Sequence, residues 1–355
     1  MKPFTGVLLA GTLSLGVLAS SRLVRPPAAS PPAAGARAAS VRTAARQPVA
    51  AGRGASGPAT TPGRALRIED VRQMGWGSGP GELGHERPEE ASASGPMSFV
   101  VDRQGAVFVL DQVNARVAVF EPGKAPHEFA LPTDTYQDIA LDPRGGLVLL
   151  DRLVTRAVLF LDAQGKTRHQ IPLERPEVPD GGMVTALFAQ PDGVWVEQEH
   201  AGLVRVALPD GTPDTRTTLA PGRPAPGGTF VRAMLRDPRR AELARVAPSG
   251  AMASLARLEF EADVRQLSGL EVDDQGRLYV TASLFEETLT PPYRARDVGE
   301  QVIVLSPQGV ELGRAVFPPG EGPDEQLRQI RLGDDGALYH LALSSQGATL
   351  RRISL

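Results

Sequence analysis

The sequence predicts an all-β fold: a six-bladed β-propeller with four antiparallel strands per blade. Its last blade is closed by an N-terminal strand, and a disordered N-terminal tail precedes the ring. Three observations predict this. Five landmarks recur 40 positions apart within residues 99–160: Asp102/Asp142, Gly105/Gly145, Asp111/Asp151, Arg116/Arg156 and Phe120/Phe160. Each copy reads strand, Asp-x-x-Gly turn, strand, short turn, strand, with runs of Val, Leu and Phe between the turns. Weaker copies follow to the end of the chain. Four-stranded units of about 40 residues, repeated four to eight times, are propeller blades.

The N-terminal segment reads as an address and a tether. Lys2 precedes an uncharged run of 16 residues, Phe4 to Ala19, and Val17-Leu18-Ala19 supplies a cleavage site, so residues 1–19 read as an export signal. The run falls short of the roughly 20 residues a membrane span needs. Arg22 and Arg25 keep an uncleaved anchor open as the alternative. Residues 20–64 form a Pro/Ala-rich linker whose composition cannot bury enough surface to offset its ordering entropy. The expected location is therefore outside the cytoplasm: periplasmic, cell-surface or secreted, or tethered to the inner membrane through this segment.

Charge divides the chain in the same way. Residues 1–68 hold nine Lys and Arg and no acid, while the remainder balances at −12. An acidic body argues against a nucleic-acid partner, which wants a basic face. The chain has no cysteine. That excludes a disulfide framework, a thiolate zinc site, a cysteine nucleophile and a lipidated bacterial N-terminus. The Arg-rich, Lys-poor, Ala/Pro-heavy composition points to a GC-rich bacterial genome.

The propeller is expected over residues 65–355. The first unit is built on 99–120, with a fourth strand from His127 to Leu131, and the second on 139–160, with a fourth strand from Thr167 to Leu173. Thr185 to Ala207 forms the third, turning at Asp192-Gly193. Phe230 to Phe260 forms a degenerate fourth, with its turn near Arg239 and its third strand near Met252 to Leu258. Leu267 to Leu305 forms the fifth, and Gln326 to Leu355 the sixth. Gly193 and Gly276 stand 83 apart, room for two units; Gly276 and Gly336 stand 60 apart, one unit plus an insertion. The sixth unit ends at its third strand, so Leu66 to Met74 is expected to complete it and remove two open sheet edges.

The Gly-rich segment Gly75 to Gly84 leads into Gly95-Pro96-Met97-Ser98-Phe99-Val100-Val101-Asp102, followed by Gly105, Val109, Asp111, Asn114, Arg116 and Val117. This pattern resembles the NHL repeat. The likeness is strong over 75–120, fair over 135–173 and faint beyond 181, where the D-x-x-N-x-R signature is lost. The resemblance implies a six-bladed propeller of the NHL or TolB-like kind, a fold that serves binding proteins, lactonases and lyases alike.

No nucleophile elbow, phosphate loop, H-E-x-x-H or EF-hand loop is present. No catalytic residue, cofactor or metal ligand is assigned. His127, His169 and His340 fall at different radii of the repeat, and His85 lies in an acidic lead-in loop. Glu197, Glu199 and His200 are the densest potential ligand set and read as a solvated hairpin tip. Asp111/Arg116 and Asp151/Arg156 read as cross-hairpin ion pairs. An insertion at 283–300, between the second and third strands of the fifth blade, carries the interface-type residues Phe285, Tyr293 and Arg294. First strands are expected to bring Asp138, Thr185, Arg232, Ser268 and Arg328 to a ligand mouth on that same face. The expected function is that of a monomeric, non-catalytic propeller binding a protein, peptide or glycan there. The alternative is a metal-dependent hydrolase of the lactonase or lyase type, for which Asp138 is the one evident ligand.

Overall fold

The computed structural model describes residues 64–90, 92–288, 290–320 and 325–355. The expected signal and the linker up to residue 63 lie outside the described residues. Arg64, expected in the linker, already pairs in a strand.

Six antiparallel sheets form in chain order, each of the first four built from consecutive strands. Blade one comprises β3 (Ser98–Val101), β4 (Val107–Asp111), β5 (Arg116–Phe120) and β6 (His127–Ala130). Blade two comprises β7 (Asp138–Leu141), β8 (Leu147–Asp151), β9 (Ala157–Leu161) and β10 (Thr167–Pro172). Blade three runs through β11 (Val184–Gln190), β12 (Gly193–Gln198), β13 (Gly202–Ala207) and β14 (Leu219–Ala220). Blade four has β15 (Arg223–Ala225), β16 (Thr229–Asp237), β17 (Arg240–Val246) and β18 (Met252–Glu259). Blade five has β19 (Asp263–Val272), β20 (Leu278–Glu287), β21 (Ala295–Leu305) and β22 (Glu311–Phe317). Blade six pairs β23 (Ile330–Leu332), β24 (Leu338–Ser344) and β25 (Gly347–Ser354) with the N-terminal β2 (Arg67–Met74). The ring thus closes between chain ends, as expected. An additional parallel pair sets β1 (Arg64–Ala65) on the outer edge of β22.

The Asp-x-x-Gly turns explain the repeat spacing. Asp102 Oδ1 accepts hydrogen bonds from the backbone N–H groups of Gln104 and Ala106, and Gly105 takes φ +81°. The aspartate folds the turn onto itself, and glycine supplies the left-handed backbone that a side chain would penalise. Asp162 and Asp273 hold their turns in the same way. Between blades the apolar faces interlock: Met74, Phe99, Phe120, Leu341 and Leu350 join blades six and one. Each such buried side chain contributes about 1.5–3 kcal/mol, which is how a ring without disulfides holds together.

Three expectations are corrected. Blade four is displaced by one strand: Arg223–Ala225 is its first strand, so the segment at 229–237 is its second and that at 252–259 its fourth. The two preceding strands are two and three residues long, too short to show an alternation. The blade-two hairpin is one residue longer than its blade-one counterpart. Asp111 faces Arg116, whereas Asp151 faces Ala157. Arg156 takes φ +49° in the turn, exposed, and Asp151 binds Thr135, Thr155 and the Val154 N–H instead of an arginine. Finally, the insertion of blade five is a hairpin extension: β20 and β21 stay paired as far as Glu287 and Ala295.

Candidate functional site

Asp111, Asn114 and Arg116 of blade one do structural work. Asp111 accepts from the Gly84 N–H at 2.8 Å, from Asn114 at 2.9 Å and from Arg116 at 2.7 Å. Asn114 and Arg116 then donate to the carbonyls of Gly77, Ser78 and Glu82. Together they pin the Gly-rich lead-in against the blade.

The chemistry concentrates at the axis, where the inner strands converge. Asp138, fully buried at the start of β7, accepts from Ser98 Oγ at 2.6 Å, from the Ile139 and Leu187 N–H groups and from Arg331 Nη1 at 3.0 Å. Arg328 Nη1 lies 3.8 Å from the same carboxylate, and Arg328 also pairs with Glu271. On the blade-three side Glu197 meets Arg223 at 3.4 Å, Thr185 Oγ1 at 2.9 Å and His200 Nδ1 at 3.5 Å. The guanidinium groups of Arg223 and Arg328 both lie on the Phe188 ring, 3.2 and 4.8 Å from its centroid. Three buried arginines, three carboxylates and one aromatic ring therefore form a single axial plug.

The plug sets its own protonation. Burial would raise the Glu197 carboxyl, but Arg223, the His200 ring and Arg328 outweigh it and hold it at about 2. Burial, reinforced by Arg328, brings Arg331 down to about 10 against the pull of Asp138 and Glu271. Both groups stay charged across the physiological range.

A cavity of about 960 Å³ opens from the plug. Val100, Ala140, Phe188, Glu271 and Arg331 reach it from the inner strands of five blades, and Asp-x-x-Gly turns form its rim. The turns at Asp102, Asp142 and Asp273 join first to second strands, and the turn at Asp162 joins third to fourth at the same end of its blade. The blade-five hairpin joins second to third strands, so it lies at the opposite end of the ring. The cavity and the insertion occupy different faces.

Of the mouth candidates, the structure unites Asp138 with Arg328 and places Thr185 on Glu197. Ser268 belongs to a separate buried group: it donates to Glu300 at 2.6 Å, Ser283 donates to the same carboxylate, and burial pushes that carboxyl up. Arg232 is corrected: it stands on the second strand of blade four, and Arg223 takes the inner position in its place. Glu197 is likewise no solvated tip but a buried member of the plug, whereas Glu199 beside it is exposed. Phe285 is half-buried with Arg265 over its ring at 5.6 Å; Tyr293 and Arg294 are exposed at the hairpin tip. His127, His169 and His340 are dispersed over an outer strand of blade one, an outer strand of blade two and the second strand of blade six. Among the described residues no group of three or more His, Asp or Glu side chains is arranged to hold a metal ion.

Sequence reasoning missed Arg223, Glu271 and Arg331. A signal existed for two of them. Val100, Ala140, Glu271 and Arg331 each stand two residues before the turn residue of their blade, and opposite charges at two of these equivalent inward positions mark a buried pair or a ligand contact.

No protein-family model matches the sequence, and no curated protein matches it. Among solved structures the chain is similar to a member of the DUF4221 family from Bacteroides vulgatus, at 12% identity and a TM-score of 0.46 over 81% of this chain and 97% of that one. It is also similar to a virginiamycin B lyase from Staphylococcus aureus, at 10% identity and a TM-score of 0.41 over 82% and 99% of the two chains. A gluconolactonase from Xanthomonas campestris is matched at 15% identity and a TM-score of 0.42 over 82% and 100%.

Proposed function

We propose that this protein is an NHL-like, non-catalytic binding propeller acting outside the cytoplasm, with the axial cavity as its ligand seat. The observation that carries the reading is the plug. Catalysis by general acid or base needs a group whose pKa lies near the working pH and which faces the substrate. The axial carboxylates Asp138, Glu197 and Glu271 are instead each paired with arginine. The same arginines set positive charge where a divalent cation would have to bind, which weighs against the lactonase-type alternative. What the cavity retains is shape, a charged rim and a rigid floor, the properties of a receptor. The outward location is supported by the Lys2-to-Ala19 pattern and the acid-free linker.

The test is turnover. The purified chain is incubated with a panel of lactones and esters, alone and with calcium or zinc. Rates at the buffer background are expected throughout. Metal-dependent hydrolysis that disappears in Glu271→Gln would overturn the reading.

A further inference from the structure

Two groups at the floor of the cavity each keep one hydrogen-bonding atom free. Arg331 reaches from blade six across the axis, and all its hydrogen bonds, to Ser98, Asp138 and the Ile139 carbonyl, run through Nη1. Its Nε is fully buried, which leaves Nη2, unbonded and not fully buried, as the donor toward the cavity that the residue lines. The side chain is 8% exposed, so this donor sits at the bottom of the cavity and not on its rim. Glu271 lines the same cavity from blade five. Arg328 engages its Oε1, while Oε2 accepts no hydrogen bond and is not fully buried.

The donor and the acceptor stand close together, because Arg331 and Arg328 share the Asp138 carboxylate and Arg328 holds Glu271. Their charges are already compensated: Asp138, Glu197 and Glu271 balance Arg223, Arg328 and Arg331. An anion placed at Arg331 would meet the Glu271 carboxylate, and a cation placed at Glu271 would meet Arg328 and Arg331. A neutral group that both accepts and donates incurs neither penalty, and a hydroxyl does both. Phe188, 8% exposed, adds flat apolar surface to the same floor.

Resting on the binding reading above, we infer that the cavity takes a neutral sugar: one ring hydroxyl accepting from Arg331 Nη2, a neighbouring hydroxyl donating to Glu271 Oε2, and the apolar face of the ring toward Phe188. The volume suits a short saccharide, since ligand pockets run to roughly 300–1,000 Å³. An amine or a carboxylate satisfies one of the two free atoms and is repelled at the other. An apolar ligand leaves both without a partner.

Calorimetric titration of the whole chain with maltose, cellobiose and chitobiose tests this, with maltobionate, cellobionate and deacetylated chitobiose as their charged counterparts. At least one neutral disaccharide is expected to bind, at least about tenfold more tightly than its charged counterpart, the worth of one charge-assisted hydrogen bond. Its affinity is expected to change less than about twofold between about 20 and about 300 mM salt. Arg331→Lys, which keeps the charge but removes Nη2, and Glu271→Gln, which keeps the shape but removes the charge, are each expected to lose about tenfold. Near-ultraviolet circular dichroism verifies the fold of both, and the comparison of neutral with charged sugars is made on the wild type, so it decides even where a variant unfolds. Absence of binding by all three disaccharides, equal or tighter binding of a charged counterpart, or a folded variant that binds unaltered would each overturn the inference. Binding of the charged counterparts alone would overturn it while leaving the receptor reading intact. Lactone turnover sinks that reading separately.

Discussion

Single buried ionisable groups carry measurable consequences. His340 is 2% exposed on the second strand of blade six, its ring 4.7 Å from Phe317 and its Nδ1 without a partner. Burial, with Arg351 beside it, lowers its pKa to about 3. The folded protein therefore keeps His340 neutral while the unfolded chain takes up a proton below about pH 6.5. Stability should fall as pH drops from there toward 3, by up to about 1.4 kcal/mol per unit from this group. Urea unfolding of wild type and His340→Phe at pH 7 and pH 5 should show a fall about 2 kcal/mol smaller in the variant; identical falls would refute this. Glu197 acts in the same direction at lower pH. Its depressed pKa contributes stability above the ordinary carboxylate range that is lost as pH falls toward 2. Glu197→Gln leaves Arg223 buried beside a neutral group and should cost about 3–5 kcal/mol in chemical denaturation. A cost below 1 kcal/mol would mean that the Glu197–Arg223 pair is dispensable.

Elements differ in how tightly neighbours bind them. Gly313 lies in β22 where β1 crosses it, and a Cβ there would stand 2.6 Å from the Arg64 carbonyl oxygen and from Leu66 Cδ2. Gly313→Ala should therefore unseat residues 64–66 and lower the melting temperature by several degrees, a loss of about 1–3 kcal/mol; proteolysis should become faster at Arg64. The blade-five hairpin is the opposite case. Beyond Leu284 its side chains are mostly exposed and its ion pairs, such as Glu286–Arg296, lie in solvent. Replacing residues 287–295 with an Asn-Gly turn should leave the melting temperature unchanged within about 2 °C and leave ligand affinity at the cavity intact, because the hairpin projects from the other face. Loss of cavity binding in that variant would show that the two faces communicate.

Across the whole molecule, closure decides stability. β2 pairs antiparallel with β25, Met74 opposite Ala348 and Arg67 opposite Ser354, so the ring is sealed by contacts between residues about 280 apart in sequence. Leu355 and Arg64 both approach Gly313. A circular permutant joining Leu355 to Arg64 through a short glycine linker, with new ends at the exposed Asp162–Gly165 turn, should fold with the same far-ultraviolet spectrum and a melting temperature within a few degrees. Aggregation of that permutant would show that the native order of blade formation matters.

The blade count, the turn chemistry and the closing strand were legible because each is written in local signals: period-two apolar runs, Asp-x-x-Gly turns and a fixed spacing of about 40 residues. Asp138 was legible too, as a polar residue on an inner strand. Blade four was misplaced because strands of two and three residues leave no periodicity to detect, and Arg156 was misassigned because one extra turn residue is invisible to a 40-residue landmark. Only the tertiary structure added Arg223, Glu271 and Arg331 to Asp138 and Arg328 at one axis and turned Glu197 inward to meet them. These residues come from five blades, and their pairing depends on the radius and rotation at which six twisted sheets pack, a quantity that no single strand encodes.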